Sequence, residues 1–220
     1  MNSTNENTTT PPANCGNTVL AAGIYKPILF STEMVKSIIA GRKTQTRRII
    51  KNKDILDMIS QGFLDNAMML GKNRPGHIFW VRETWQHTAI LNLHPSDENF
   101  GFVYKADGQP WEDFEGWNWK PSIFMPKSAC RIFLKINRIR IERLQDITEE
   151  DSIAEGIEDV RHKHNYDFQI FKDYNGIMDG FQHPPYSFRS LWQSINGDKS
   201  WNQNPWVFVY EFQRTHASYA

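Results

Sequence analysis

Cysteine is nearly missing from this chain of 220 residues: there are two, Cys15 and Cys130. That is too few for a disulfide framework, and they do not have the spacing of a CxxC metal site. Long apolar runs are missing too. No stretch approaches the roughly 20 residues that a membrane-spanning helix needs. The N-terminus has neither the basic region nor the apolar stretch of a secretory leader, so a protein of the reducing cytoplasm, away from membranes, is expected. Net charge is absent as well: Lys plus Arg (25) equals Asp plus Glu (25), and the isoelectric point is near 7.1. This excludes a surface coated in positive charge for sequence-blind DNA binding, so any nucleic-acid contact must be local. No internal repeat is present.

What is there is sorted charge. Residues 42–53 hold six bases, and residues 146–159 hold seven acids with no base among them. An acidic run of this kind commonly marks a solvated helix face; the basic cluster is harder to explain that way. Residues 1–23 are rich in Asn, Thr and Pro, bury too little apolar surface to offset ordering entropy, and read as a disordered tail. One domain is expected over 24–214, with an insertion or lid at about 157–186 and a short C-terminal tail at 215–220.

Within that domain a short apolar strand is expected at 27–30. A helix follows, capped by Thr32, with Glu33 in its first turn and Met34, Val35, Ile38 and Ile39 as its apolar face, ending at Gly41. Residues 41–48 then read as a loop, and a short helix is expected near 54–60. Pro75 and Gly76 turn the chain into an aromatic, β-branched strand over 77–85 that carries Glu83 near its end; 102–104 reads as the next strand. Trp111, Trp117 and Trp119 sit among Gly, Pro and Asp in a large aromatic loop over 109–126. Residues 131–138 alternate apolar with polar and continue past a bulge into 139–141, which gives one packed face and one basic face. Thr148 and Asp151 suit the cap of a helix closing at Gly156. Ser187 suits the cap of a last helix stopped at Asn196 and Gly197, and 206–212 reads as the final strand.

GRKTQTRR at 41–48 carries the pattern G-x-K-x-x-x-x-R, with Gly41, Lys43 and Arg48 in register behind a capped helix. Further segments are WVRETW (80–85), PSIFMP (121–126), ERLQDITEEDSIAEGI (142–157), LWQSING (191–197) and NPWVFVYEF (204–212). Together with that pattern, over about residues 27–212, they make the chain resemble the ASCH superfamily, in particular the ASCH-containing proteins of bacteriophages and prophages. The resemblance implies an α+β fold, a small PUA-like β-barrel with flanking helices, and a cleft between the Lys-bearing loop and the barrel. It also implies RNA or a modified nucleoside as the partner. In one compact branch, amidohydrolases that deacylate N4-acetylcytidine, the working set is a lysine, a threonine three residues later and a glutamate farther on. Lys43, Thr46 and Glu83 match it in type and order.

Three functions are open on these residues. The first is a recognition module whose cationic cleft around Lys43 holds a nucleobase or nucleoside, free or within RNA. Its binding residues would be Gly41, Arg42, Arg47, Arg48, Trp85, Tyr104 and Lys127. The second is an amidohydrolase with Thr46 as nucleophile, Lys43 as base and Glu83 orienting it; Arg42, Arg47 and Arg48 would crowd Lys43 and push its pKa down. The third is a phage interaction or morphogenesis protein that uses the acidic run as a partner surface. Against the first two stand plain structural roles: a loop hydroxyl for Thr46, a salt bridge for Glu83, a solvated loop for the bases. Trp85, Tyr104, Trp117 and Trp119 are the candidate stacking surfaces, whereas Trp80, Trp192 and Trp206 read as packing. Lys127 with Lys135, Arg138 and Arg140 reads either as a path for an RNA backbone or as an exposed sheet face. No cofactor is implied. His162 and His164 lack a further ligand at metal spacing, so no metal is expected either.

Overall fold

The computed structural model describes residues 24–88, 101–108, 117–164 and 167–216. The expected tail at 1–23, Trp111 in the aromatic loop and residues 217–220 lie outside the described residues. The elements run β1 (Tyr25–Leu29), α1 (Thr32–Ile39), β2 (Gln45–Ile49), α2 (Lys53–Ser60), α3 (Leu64–Leu70), β3 (Ile78–Arg82), β4 (Trp85–His87) and β5 (Phe102–Tyr104). They continue with β6 (Phe133–Arg143), α4 (Glu149–Ala154), α5 (Arg161–His164), α6 (Pro184–Asn196) and β7 (Trp206–Thr215). The fold is α+β. Five strands form one mixed sheet in the order β1-β3-β6-β7-β2, with β1 parallel to β3 and the other pairs antiparallel. β4 and β5 form a separate two-stranded ribbon.

Period-two alternation divides the sheet into two faces. Ile28, Phe79, Val81, Leu134, Ile136, Phe208, Tyr210 and Phe212 point inward and pack with Val35 and Ile38 of α1 and Ile55 and Ile59 of α2. Val207 and Val209 point outward and are covered by Phe188, Leu191 and Trp192 of α6, with Leu144, Ile157 and Phe171. Each such side chain contributes about 1.5–3 kcal/mol by leaving water. The expected bulge falls at Asn137, between the pairs Ile136–Phe212 and Arg138–Glu211. It lets Lys135 and Arg138, three residues apart, face outward together.

The ladder does not close into the barrel that the resemblance implies, because β1 and β2 are its two edges. A side chain spans the gap: Arg48 of β2 donates from Nη2 to the Leu29 carbonyl of β1 at 2.8 Å. Several local expectations also shift. Ser31, in an extended conformation and accepting from the Met34 N–H, caps α1 in place of Thr32. Residues 41–48 are loop only as far as Thr44, because β7 offers 45–49 a ladder to join. α6 begins at Pro184, where a proline's fixed φ suits the first turn, and Ser187 lies inside the helix, donating to the Lys172 carbonyl at 2.7 Å. The expected lid at 157–186 is tied down, with Ile157, Phe171 and Tyr174 packed in the outer core and Phe171 bridged to Asp159 and Phe181. No helix among the described residues is long and apolar enough to cross a membrane.

Candidate functional site

α1 ends in a turn that needs a left-handed residue, and Gly41 supplies it at φ 74° with open space around it. The N–H groups of Arg42 and Lys43 both donate to the Ser37 carbonyl, and that of Thr44 donates to the Ala154 carbonyl at 2.8 Å. The Lys43 side chain is thereby directed into the protein. It is 2 % exposed, its ammonium donating to the Glu155 backbone carbonyl at 2.8 Å and to Glu155 Oε2 at 2.7 Å. Gly156 makes this approach possible: its φ is 87°, and a Cβ there would stand 2.7 Å from that of Lys43. Burial pushes the Lys43 pKa down against the pull of Glu155, and Arg48 and Arg47 add to the lowering. Desolvation, more than the crowding expected from the neighbouring arginines, is therefore the main cause.

Behind Lys43 the charges alternate. Glu155 Oε1 accepts from Arg47 Nη1 at 3.0 Å, and Arg47 also reaches Glu142 at 2.6 Å and Asp151 at 2.7 Å. Arg140 bonds the same Glu142 at 2.8 Å together with Asp151 and Glu211. The Arg47 side chain is almost wholly buried, and its guanidinium lies 5.6 Å from the centre of the Phe188 ring. Removing a cation this deep from water is repaid only by bonding of such completeness. The acidic run, which reads in the sequence as a solvated face, sends Asp151 and Glu155 inward instead.

Beside this network lies a cavity of about 250 Å³ between α1, the edge strand β2 and α6. Met34, Ile49, Phe188, Leu191, Trp192 and Ile195 supply its apolar walls, and Thr46, Arg47, Arg48 and Glu155 its polar ones; Lys51 and Asn196 complete the lining. Two lining residues carry a buried N–H with no hydrogen-bond partner, Arg48 at Nε and Trp192 at Nε1. An unsatisfied buried donor costs about 1–3 kcal/mol. The strand edge adds backbone groups. Phe212 donates to the Thr44 carbonyl and Ile50 to the Trp206 carbonyl, so by the alternation of an antiparallel ladder Gln45, Arg47 and Ile49 turn their N–H and C=O groups away from β7.

The structure brings Gly41, Lys43, Thr46, Arg47 and Arg48 into one region, with exposed Arg42 bonded to Ser37. It does not bring Glu83 to Lys43. β3 ends at Arg82, and the fully buried Glu83 carboxylate is clamped by Arg131 with two bonds of 2.9 Å. Burial raises its pKa against the pull of Arg131. Trp85, Tyr104 and Lys127 gather on that other side. Trp85 is buried against Phe102, Tyr104 donates to the Ala129 carbonyl under the Arg131 guanidinium, and Lys127 lies over Tyr25. Trp117 and Trp119 meet edge to face at 5.3 Å. Arg140 is engaged in the ion network. Trp192 packs in the outer core, as its place in a helix predicts, and also lines the cavity, and Glu155 stands where Glu83 was expected. The one available signal for Glu155 was the glycine directly after it. Among the described residues no three of His, Cys, Asp and Glu sit together as a metal site requires. The chain matches no family model, no curated protein and no solved structure.

Proposed function

We propose that this chain, as an ASCH-type domain related to the PUA-like barrels, recognises a nucleobase or nucleoside, free or within RNA, in the cavity beside β2. The observation that carries the reading is the cavity's lining of aromatic and apolar walls around two buried N–H donors that have no partner in the protein. A flat ring lodged against the apolar walls that Phe188 and Trp192 contribute would bury its faces, and its carbonyl edge would supply the missing acceptors once the wall yields slightly. At about 250 Å³ the space lies just below the 300–1,000 Å³ of ordinary small-molecule pockets, which favours one ring system over an extended ligand. In this reading Lys43 positions Glu155, and Arg48 and Lys51 provide the positive charge. Titration with cytidine, uridine and N4-acetylcytidine, followed by tryptophan fluorescence, tests it. Binding should weaken roughly tenfold or more in Arg48→Lys and Trp192→Phe, each of which removes a donor worth about 1–3 kcal/mol. Unchanged binding in both variants, or no binding by the wild type, would sink the proposal and leave the partner-surface reading.

A second reading is favoured by the sharing of one wall by Thr46 and Glu155 and by the lowered Lys43 pKa. Here the protein hydrolyses an acyl amide on a modified cytidine. Thr46 Oγ attacks the acyl carbon, Lys43 in its amine form takes the hydroxyl proton and returns it to the departing amine, and water then splits the acyl-threonine ester. Glu155 serves as the carboxylate in place of Glu83. Incubation with N4-acetylcytidine separates the two readings. Turnover lost in Thr46→Ala with binding retained supports hydrolysis; binding without turnover leaves recognition alone.

A further inference from the structure

The outer face of the sheet changes character across its width. Over β7 and β2 it is buried beneath α6, but the outward positions of β1 and β3 and Lys135 of β6 are half-exposed or exposed, with Phe133 buried beside them. The ladder sets Tyr25, Ile78 and Lys135 in one row and Pro27, Trp80 and Phe133 in the next, with Leu29 and Arg82 beyond. No carboxylate occupies any of these positions, and the aromatic rings are interleaved with cations. The Lys127 ammonium lies 4.5 Å from the centre of the Tyr25 ring, and the Arg82 guanidinium lies 5.4 Å from that of Trp80. Arg82 is held in place by the carbonyls of Met125, at 3.1 Å, and Ile123. Those bonds set the 3₁₀ turn Ser122–Phe124 at the rim, where Phe124 is 69 % exposed.

We infer that this half of the sheet face binds single-stranded nucleic acid, with bases stacking on Trp80 and Phe124 and phosphates meeting Arg82, Lys127 and Lys135. A polyanion that carries flat apolar groups complements a face built of rings and positive charges without acids. A duplex would offer the charge but keep its bases stacked away from the rings. The surface is separate from the cavity, and its assignment does not depend on what the cavity holds.

The test is fluorescence anisotropy with labelled single-stranded RNA and DNA of about ten nucleotides, a length within the site sizes of stacking platforms. The salt series should show a slope of about −2 in log K against log salt, as three neutralised phosphates on a single strand would give. Phe124→Ala should weaken binding roughly tenfold or more, and Lys127→Ala with Lys135→Ala should remove about two thirds of the slope. Preference between the RNA and DNA arms identifies the polymer. Unchanged affinity and slope in both variants, or no oligonucleotide binding by the wild type, overturns the inference. So does dimerisation that Phe124→Ala abolishes, because the occupant is then a second copy of the chain. Nucleoside binding should survive these variants. Its absence alongside intact oligonucleotide binding would remove the cavity reading and leave this one standing.

Discussion

Glu155 is the residue on which the candidate site turns, because its two carboxylate oxygens hold Lys43 and Arg47 in place at once. Glu155→Ala leaves two buried cations without their shared anion and should lower unfolding free energy by about 3–5 kcal/mol; urea denaturation reads this directly. A loss under about 1 kcal/mol would show that the two cations find other partners or water, and that their pairing with Glu155 is dispensable. Gly156 provides an independent check on the same contact. Gly156→Ala places a methyl group against Lys43 in a backbone conformation that alanine avoids, and should cost at least about 2 kcal/mol. Wild-type stability in that variant would mean that Lys43 and Glu155 do not approach as closely as described.

At the scale of elements, α6 serves two purposes with one face: Phe188, Leu191 and Trp192 are all buried in the outer core and all line the cavity. Phe188→Ala should therefore cost about 3–5 kcal/mol, the usual penalty for emptying a buried aromatic site. Trp192→Phe should behave differently. It keeps most of the packing and removes an N–H that lacks a partner, so thermal stability should stay near that of the wild type while nucleoside affinity drops. A large fall in melting temperature would mean that the indole is structural and the cavity incidental. The edge position of β2 matters for the same reason. A strand paired on one side only leaves backbone groups for a ligand, which a central strand could not do.

At the scale of the whole molecule, the ion network joins β2, β6, β7 and α4 around Arg47 and Arg140. Burial pushes the Asp151 carboxyl up, but Arg47 and Arg140 together outweigh it and hold its pKa below the ordinary value. A carboxyl with a depressed folded pKa stabilises above its unfolded pKa, and that contribution is lost as pH falls through the folded one. Melting temperature should therefore fall on acidification through and below the ordinary carboxylate range. Asp151→Asn should flatten that part of the profile and lower stability at neutral pH. An Asp151→Asn profile parallel to that of the wild type would show that Asp151 carries none of the acid sensitivity.

Much of this protein is readable one residue at a time. Hydrophobic alternation located β6 and β7, the bulge at Asn137 followed from a break in that alternation, and Thr148 and Gly156 marked the ends of α4 because caps and left-handed turns are local chemistry. Grouping Lys43, Thr46, Arg47 and Arg48 was also legible, since they follow one another in the chain. Partner choice across long separations was not legible. Glu83 and Glu155 are both glutamates downstream of Lys43, and nothing local shows that β3 delivers the first to Arg131 while the turn after α4 delivers the second to Lys43. The conversion of half the basic loop into a strand, the entry of Trp192 into a cavity wall and the exposure of only half the outer sheet face have the same cause. Each depends on which element lies alongside, so composition and periodicity set the elements and their buried faces, while packing between distant segments decided where the polar groups meet.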